Sequence, residues 1–193
     1  MTNLRLPSVE LYPDVSTQNA ARIASHVLPR GQVLKLIQRA ARDNARSPMQ
    51  WSAEPNAGFS KAEPWFAVNV NYPEINVADQ EQDPNSLLNF YRKLIRFRKD
   101  NPVALYGTYR EHDRKNRKLY VYERAYEGTR LLVICSFTAD QVRFDAPEGI
   151  KLDKARQVLG NYEVNFVIAN GFTTRPYELR VYLIENEVRN EEK

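Results

Sequence analysis

Cysteine, histidine and long apolar runs are scarce in this chain. Its 193 residues include one cysteine, Cys135, and two histidines, His26 and His112. A single cysteine cannot form a disulfide within the chain, so we expect a reducing, cytoplasmic location. The longest apolar run, from Leu131 to Cys135, is far too short to cross a bilayer, and the first residues do not form the apolar core of a signal peptide. We therefore expect a protein that is not exported and does not associate with membranes.

The sequence motifs of several enzyme classes are also missing. The chain has no zinc-ligand spacing, no serine elbow of the G-x-S-x-G kind and no glycine-rich phosphate loop. Neither histidine has a local partner that would make it a general base. The sequence therefore predicts no metal and no cofactor, and it gives no support to metal-dependent hydrolysis, acyl transfer or nucleotide chemistry.

The charge is nearly balanced. There are 28 basic and 24 acidic side chains, for a formal net charge of +4. Basic residues cluster on a predicted helix and at a predicted turn: Arg92, Lys93, Arg96, Arg98 and Lys99, and then Arg114, Lys115, Arg117 and Lys118. Because neither cluster comes with an aromatic ladder or a glycine-rich loop, a solvated face is favoured over phosphate contact. We predict no nucleic-acid partner.

The first half of the chain has a helical pattern around one long loop. Apolar spacing predicts a short helix over 17–26 and an amphipathic helix over 32–42. A further helix is predicted to be capped by Asp83, to have Pro84 at its first position, and to stop at Asn101. Residues 43–83 show no clear periodicity, and loops of that length are usually functional.

The second half has the pattern of a sheet. Alternating or β-rich apolar segments predict strands over 119–123, 131–137, 164–168 and 177–184, with glycines between them at turn-like intervals. Short antiparallel strands at such spacing favour a β-sandwich. Because the predicted helices precede the predicted antiparallel strands, the predicted fold class is α+β. A complete (β/α)8 barrel is excluded, since it needs about 250 residues.

The most informative stretch runs from Arg42 to Trp51 and reads RDNARSPMQW. It combines two guanidinium groups, a carboxylate, amides and an indole. Arginine offers a rigid fork of donors for hydroxyl oxygens, and tryptophan offers an apolar face against which a sugar ring can pack. The same residues would also suit a structural network in which Arg42 pairs with Asp43 and Trp51 lies in the core. Residue types alone leave both interpretations open.

The order of residues in this stretch resembles a signature of α-glucosidases in the α-amylase superfamily, glycoside hydrolase family 13. The branch is that of oligo-1,6-glucosidases, dextran glucosidases and sucrose isomerases. Further segments resemble the same family in the same order, over essentially the whole chain: Asn56–Phe59, Asn69–Tyr72, Asp83–Ser86, Leu105–Gly107 and Arg175–Glu178. The chain departs from the family at Ser47, where relatives have threonine, and at Ser52, where an acid is common.

The resemblance implies a domain organisation and a binding site. Residues 1–104 would form the end of a (β/α)8 barrel with its substrate-side loop, residues 105–186 an antiparallel β-sandwich, and residues 187–193 a polar tail. Arg46 would hydrogen-bond the terminal glucosyl unit of an α-linked gluco-oligosaccharide, and Asp43 would orient Arg46. In the full enzyme the reaction would be retaining hydrolysis.

The family's nucleophile and acid/base motifs have no counterpart in this sequence. We therefore assign no catalytic residue and expect the chain to be inactive alone, as a carboxy-terminal portion of an α-glucosidase. The alternative is a non-catalytic carbohydrate-binding or partner chain that complements a separate barrel fragment. A stripe of Leu87, Tyr91, Leu94 and Ile95 on the predicted helix would then be free to drive association.

Overall fold

A computed structural model describes residues 3–163 and 170–185. The chain divides into two compact units, Met1–Arg92 and Lys93–Lys193. The described elements of the first unit are helical, and those of the second are mostly antiparallel strands, so the fold is of the α+β class. The division falls within the helix Leu87–Asp100. The domain bounds at residues 104 and 186, the barrel end and the sandwich remain predictions.

Five α-helices and seven strands are described in these two ranges. The helices are α1 Val15–Ala24, α2 Arg30–Ala40, α3 Val77–Gln82, α4 Leu87–Asp100 and α5 Pro102–Tyr106. The strands are β1 Thr108–His112, β2 Leu119–Tyr126, β3 Thr129–Ser136, β4 Val142–Asp145, β5 Arg156–Gly160, β6 Gly171–Thr174 and β7 Leu179–Glu185.

The first unit has a small core between α1 and α2. Its buried members are Tyr12, Ala21, Val33, Ile37 and Ala41. The hydroxyl of Tyr12 donates to the carbonyl of Leu4 at 3.0 Å and accepts from the N–H of Leu6 at 3.3 Å. Burial raises the pKa of Tyr12. These two hydrogen bonds hold the segment from Leu4 to Leu6 against Tyr12, which lies in this core. They thereby set the position of the residues that precede α1.

The helices predicted from the apolar spacing before residue 43 are confirmed with shifted ends. α1 begins two residues earlier than predicted, at Val15, because Asp14 caps it. α2 ends at Ala40, since the backbone of Ala41 is extended (ψ 136°), so Arg42 lies outside the helix. A local cap and a single dihedral thus set the helix limits, which the periodicity alone could not predict.

The predicted start of the helix after the long loop is wrong. α4 begins at Leu87, and Ser86 caps it by accepting the N–H of Asn89 at 3.1 Å. Asp83 instead accepts from the N–H of Asn85 at 2.8 Å and forms a local turn. A short side chain that bonds its own neighbours competes with helix capping, which explains the shift. The long loop also contains α3, capped by Asn76, which the sequence did not predict.

In the second unit, the strands form two antiparallel sheets. The larger sheet has the order β1-β2-β3-β7-β5, and the smaller one pairs β4 with β6. Val121 lies opposite Ile134, and Val133 lies opposite Val181. The hairpin between β2 and β3 turns at Glu127 and Gly128, whose φ angles of 45° and 79° are those of a twisted two-residue turn.

Both faces of the larger sheet are covered. One face packs with the β4–β6 pair around Leu119, Val121, Leu132, Ile134, Phe144, Tyr182 and Ile184. The opposite face packs with α5 around Val103, Ala104, Leu131, Val133, Val181 and Leu183. Consecutive residues of β3 therefore alternate between two cores. This is why β3 reads as a continuous apolar run rather than an alternating one.

The strand predictions are confirmed where the sequence is apolar. The segments over 119–123 and 131–137 correspond to β2 and β3. The last strand begins at Leu179 rather than at residue 177, because Tyr177 takes a left-handed φ of 52°. The segment predicted over 164–168 lies outside the described residues. The sequence missed β1, β4, β5 and β6, which are short and carry polar or mixed residues.

Candidate functional site

The sequence-predicted pair, Asp43 and Arg46, lies on the loop after α2. Residues Arg42–Ala45 form a single 3₁₀ turn, and Arg46 follows it. The carboxylate of Asp43 is fully buried, whereas the Arg46 side chain is 41% exposed. Arg46 Nη1 lies 3.7 Å from Asp43 Oδ1. The structure thus brings the two predicted residues together, but at the long end of ion-pair distance.

A closer partner of Arg46 is Asp14, which the sequence analysis missed. Arg46 Nη1 donates to Asp14 Oδ1 at 2.9 Å. Asp14 is also the N-cap of α1, and its Oδ2 accepts from the backbone N–H of Thr17 at 3.0 Å. The backbone N–H of Asp14 in turn donates to Asp43 Oδ2 at 3.3 Å. Asp14 therefore connects the helix end, the buried acid and the guanidinium.

The electrostatics of Asp14 agree with that geometry. The backbone N–H of Thr17, and then the Thr17 hydroxyl and Arg46, hold the pKa of Asp14 below its ordinary value, while partial burial acts in the opposite direction. Asp14 is therefore an anion at neutral pH. A sequence signal was present, because aspartate before a helix is a preferred N-cap. The apolar spacing, however, places the start of the helix at Thr17 and so does not point to Asp14 as its cap.

Several buried polar atoms of the signature have no hydrogen-bond partner within the described residues. They are Asp43 Oδ1, Ser47 Oγ and Gln50 Oε1. The amide of Gln50 nevertheless donates to Asn71 Oδ1 at 3.0 Å and to the carbonyl of Ile75 at 2.7 Å. Unpaired buried polar atoms are rare and costly in folded proteins. Of the six such atoms in the described residues, three lie in this stretch and the other three belong to His112, Arg124 and Gln157.

Two details of the structural interpretation of the signature are wrong. Trp51 is 50% exposed and does not lie in the core, and Arg42 is exposed as well. The ion-pair partner of Asp43 is Arg46 rather than Arg42. The Trp51 side chain is accordingly partly accessible to solvent.

A left-handed turn holds the backbone of Trp51. Asn56, Ala57 and Gly58 have φ angles of 56°, 58° and 63°. The carbonyl of Ala57 accepts the N–H groups of Trp51 at 2.9 Å and of Ser52 at 3.1 Å. On the other side, the carbonyl of Trp51 accepts the N–H of Ala78 at 3.0 Å. These bonds fix the backbone of Trp51 from two sides.

Replacing Gly58 by alanine should destabilise this turn. An added Cβ would lie 2.4 Å from Ser52 Oγ, and the φ of +63° strains any L side chain. We expect Gly58→Ala to lower the free energy of unfolding by about 1–2 kcal/mol, measured by urea denaturation. Adding Ser52→Ala should recover the part due to the contact. The matched control is Gly31→Ala in α2, where no atom lies within 4 Å of the added Cβ. We expect this control to raise the free energy of unfolding. Equal stability of Gly58→Ala and the native chain would contradict this account.

Metal-binding clusters and membrane-spanning helices are both absent from residues 3–163 and 170–185. No group of three or more histidine, cysteine, aspartate or glutamate side chains in these ranges could hold a metal ion. Within the same ranges, no helix combines the length and the apolar character needed to span a membrane. Cys135 is a free, partly buried thiol, and burial raises its pKa.

Comparisons with known proteins point to one family. Residues 14–107, which include Asp14, Asp43 and Arg46, match the family model described as alpha amylase, catalytic domain. The oligo-1,6-glucosidase of Bacillus cereus is 39% identical over 96% of this chain and 34% of that enzyme. The oligo-1,6-glucosidase of Halalkalibacterium halodurans is 38% identical over 97% of this chain and 34% of that enzyme.

Solved structures agree. The trehalose-6-phosphate hydrolase of Bacillus licheniformis has a TM-score of 0.89 and 32% identity, over 96% of this chain and 34% of that one. The trehalulose synthase from Pseudomonas mesoacidophila MX-45 has a TM-score of 0.85 and 30% identity, over 95% of this chain and 33% of that one. The chain spans about one third of the length of the curated relatives it matches. By family match, by sequence and by structure, this chain belongs to the α-amylase family and has oligo-1,6-glucosidases among its homologues.

Proposed function

We propose that this chain is the carboxy-terminal portion of an α-glucosidase that acts on α-linked gluco-oligosaccharides, and that Arg46 binds the terminal glucosyl unit. The observation that carries the proposal is the state of the Arg46 guanidinium. Nη1 is anchored by two acids, and within the described part of the chain the remaining N–H groups of this half-exposed side chain have no partner. A fixed fork with open donors suits the hydroxyl oxygens of a sugar.

The neighbouring residues support a carbohydrate ligand. The indole of Trp51 is half exposed on the same loop, and its backbone is held by the turn at Asn56–Gly58. Sugars present hydroxyl groups at their edges and C–H groups on their faces, so donors and an aromatic surface bind them together. Homologues that carry the name oligo-1,6-glucosidase support α-linked glucose units as the substrate class.

The proposed site binds the sugar but does not hydrolyse the glycosidic bond. Retaining hydrolysis needs one carboxylate as nucleophile and a second as acid and base, about 5–5.5 Å apart across the bond. Asp14 is engaged by the N-terminus of α1 and by Arg46, and Asp43 is fully buried beneath them. Neither is free for covalent chemistry. The proposal therefore places the nucleophile and the acid in another segment of the enzyme, and it includes a cytoplasmic location, in line with the single unpaired cysteine.

The test compares the chain alone with the chain joined to a barrel. Purified chain should not hydrolyse p-nitrophenyl α-glucoside. Joined to the amino-terminal two thirds of the Bacillus cereus oligo-1,6-glucosidase, it should support hydrolysis. In that enzyme Arg46→Ala should lower kcat/KM about 10- to 150-fold, because a hydrogen bond to a charged group contributes about 1.5–3 kcal/mol. Arg39→Ala, an exposed change on α2, is the control. Turnover by the pure chain that Arg46→Ala abolishes would overturn the proposal, and so would a joined enzyme indifferent to Arg46.

One observation favours the alternative of a separate partner chain. Helix α4 contains no buried residue, and Leu87, Tyr91 and Ile95 are 68%, 57% and 52% exposed. Exposed apolar stripes of this kind mark association surfaces. In this second candidate function the chain complements a barrel fragment encoded separately. Restored activity on mixing the two polypeptides without a covalent link would support it, and activity only in the covalent fusion would exclude it.

A further inference from the structure

We propose that Asp14, rather than Asp43, is the residue that positions Arg46 for substrate, an inference that rests on the proposed role of Arg46 in sugar binding. The inference rests on the distances from Arg46 to the two carboxylates. Arg46 Nη1 lies 2.9 Å from Asp14 Oδ1 and 3.7 Å from Asp43 Oδ1. Only the shorter contact has hydrogen-bond geometry, and a charge-assisted bond of that length orients a planar guanidinium.

Asp14 is itself held rigidly, as a positioning residue must be. Its Oδ2 accepts both the backbone N–H and the hydroxyl of Thr17, at 3.0 and 3.2 Å. Oδ1 is thereby left to face Arg46. The Asp14 side chain is 7% exposed, so the carboxylate is largely shielded from water, whereas the Arg46 side chain is 41% exposed. Oδ1 of Asp14 thus binds the guanidinium of Arg46, while Oδ2 is fixed by the first turn of α1.

Asp43 has a different task in this arrangement. Its Oδ2 accepts the backbone N–H of Asp14 at 3.3 Å, while its Oδ1 has no hydrogen-bond partner in the described residues. The bond to the Asp14 backbone holds the segment that begins α1 against the signature loop. Asp43 therefore acts on Arg46 mainly through the placement of Asp14, and its negative charge reinforces the pair from 3.7 Å.

The first measurement uses the chain alone, by NMR of the Arg46 guanidinium. In the native chain we expect separate Nη resonances, because the bond to Asp14 slows rotation about the Nε–Cζ bond. Asp14→Ser keeps a good N-cap for α1 but is too short to reach Arg46. We expect it to collapse these signals into one averaged resonance, while Asp43→Asn keeps them separate. Separate signals in Asp14→Ser, or their loss only in Asp43→Asn, would overturn the inference.

A second measurement needs no variant of Asp14, in case Asp14→Ser does not fold. The carboxyl carbon of Asp14 is titrated in the native chain and in Arg46→Ala. We expect its pKa to rise in Arg46→Ala, since one of the groups that lower it is removed while Thr17 remains. An unchanged pKa would contradict the pairing.

The third measurement separates positioning from simple stability and uses the joined enzyme. Asp14→Ser should lower kcat/KM toward the value of Arg46→Ala, and it should cause no further loss when Arg46→Ala is already present. A merely structural role would give additive losses and would count against the inference. If Arg46→Ala has no effect on turnover while the NMR pairing is present, the proposed sugar-binding role fails and the pairing itself stands.

Discussion

Replacing Glu178 by glutamine is expected to cost about 3–5 kcal/mol of unfolding free energy, the usual penalty for removing one partner of a buried ion pair. The Glu178 side chain is 1% exposed, and its Oε1 accepts from Arg180 Nε at 2.8 Å. The Arg180 side chain is itself 5% exposed and lies over the ring of Phe172, with the guanidinium carbon 3.8 Å from the centroid. Glutamine keeps the shape of Glu178 but leaves that cation buried without its anion.

A second arginine raises the penalty. Arg175 Nη2 donates to Glu178 Oε1 at 2.8 Å, and its backbone N–H donates to Oε2 at 2.7 Å. Urea denaturation of the native chain and of Glu178→Gln measures the loss. Asp140→Asn is the control, since Asp140 pairs with Lys118 on the surface and should change stability little. The double variant Glu178→Leu with Arg180→Met should recover part of the loss, because it removes both buried charges. A loss for Glu178→Gln no larger than for the control would refute this account.

The same network has a pH signature. Burial alone would raise the pKa of Glu178, but the bonds from Arg175 and Arg180 outweigh it and lower the pKa. A carboxyl group whose pKa is lower in the folded state stabilises the fold fully above its unfolded pKa, about 4.3. That stabilisation is lost as the pH falls through the folded pKa. The stability gap between the native chain and Glu178→Gln should therefore narrow as the pH falls below about 4.

The parts of the fold that periodicity can encode were predictable. The apolar spacing of α2 follows from the burial of one face of the helix. The continuous apolar run of β3 follows from the burial of both faces of the strand. Strands such as β1, with its sequence Thr-Tyr-Arg-Glu-His, carry no such pattern, because this strand lies at the sheet edge and is largely exposed. Its pairing is set by the neighbouring β2, and no local sequence signal reports a tertiary partner.

The candidate site was predictable in part for a similar reason. The order of residues from Arg42 to Trp51 located the loop and nominated Arg46. It could not nominate Asp14, because that residue is 32 positions away from Arg46 in sequence and meets it only when α1 and α2 pack together. The family resemblance assigns the orienting role to Asp43, three residues before Arg46, but the contact of Asp43 with Arg46 is the longer of the two. Sequence proximity is thus a poor guide to which acid makes the closest contact with a guanidinium.

The two-faced packing of β3 gives the last prediction. Leu132 is fully buried on the face that meets β4 and β6, and Leu131 is 4% exposed on the face that meets α5. Leu132→Ala and Leu131→Ala should each lower the free energy of unfolding by about 2–5 kcal/mol, through lost contacts and a residual cavity. Leu132→Met, which conserves volume, should cost less than about 1.5 kcal/mol and is the matched control.

Amide hydrogen exchange distinguishes the two faces. Leu132→Ala should speed exchange most in the β4–β6 pair, where Phe144 lies opposite Phe172. Leu131→Ala should do so in α5, whose last bond runs from the N–H of Gly107 to the carbonyl of Val103. Faster exchange in the same elements for both variants would mean that the two cores behave as one. Because each alanine removes contacts from a different layer, the native arrangement requires the two exchange patterns to differ even if the losses of stability are equal.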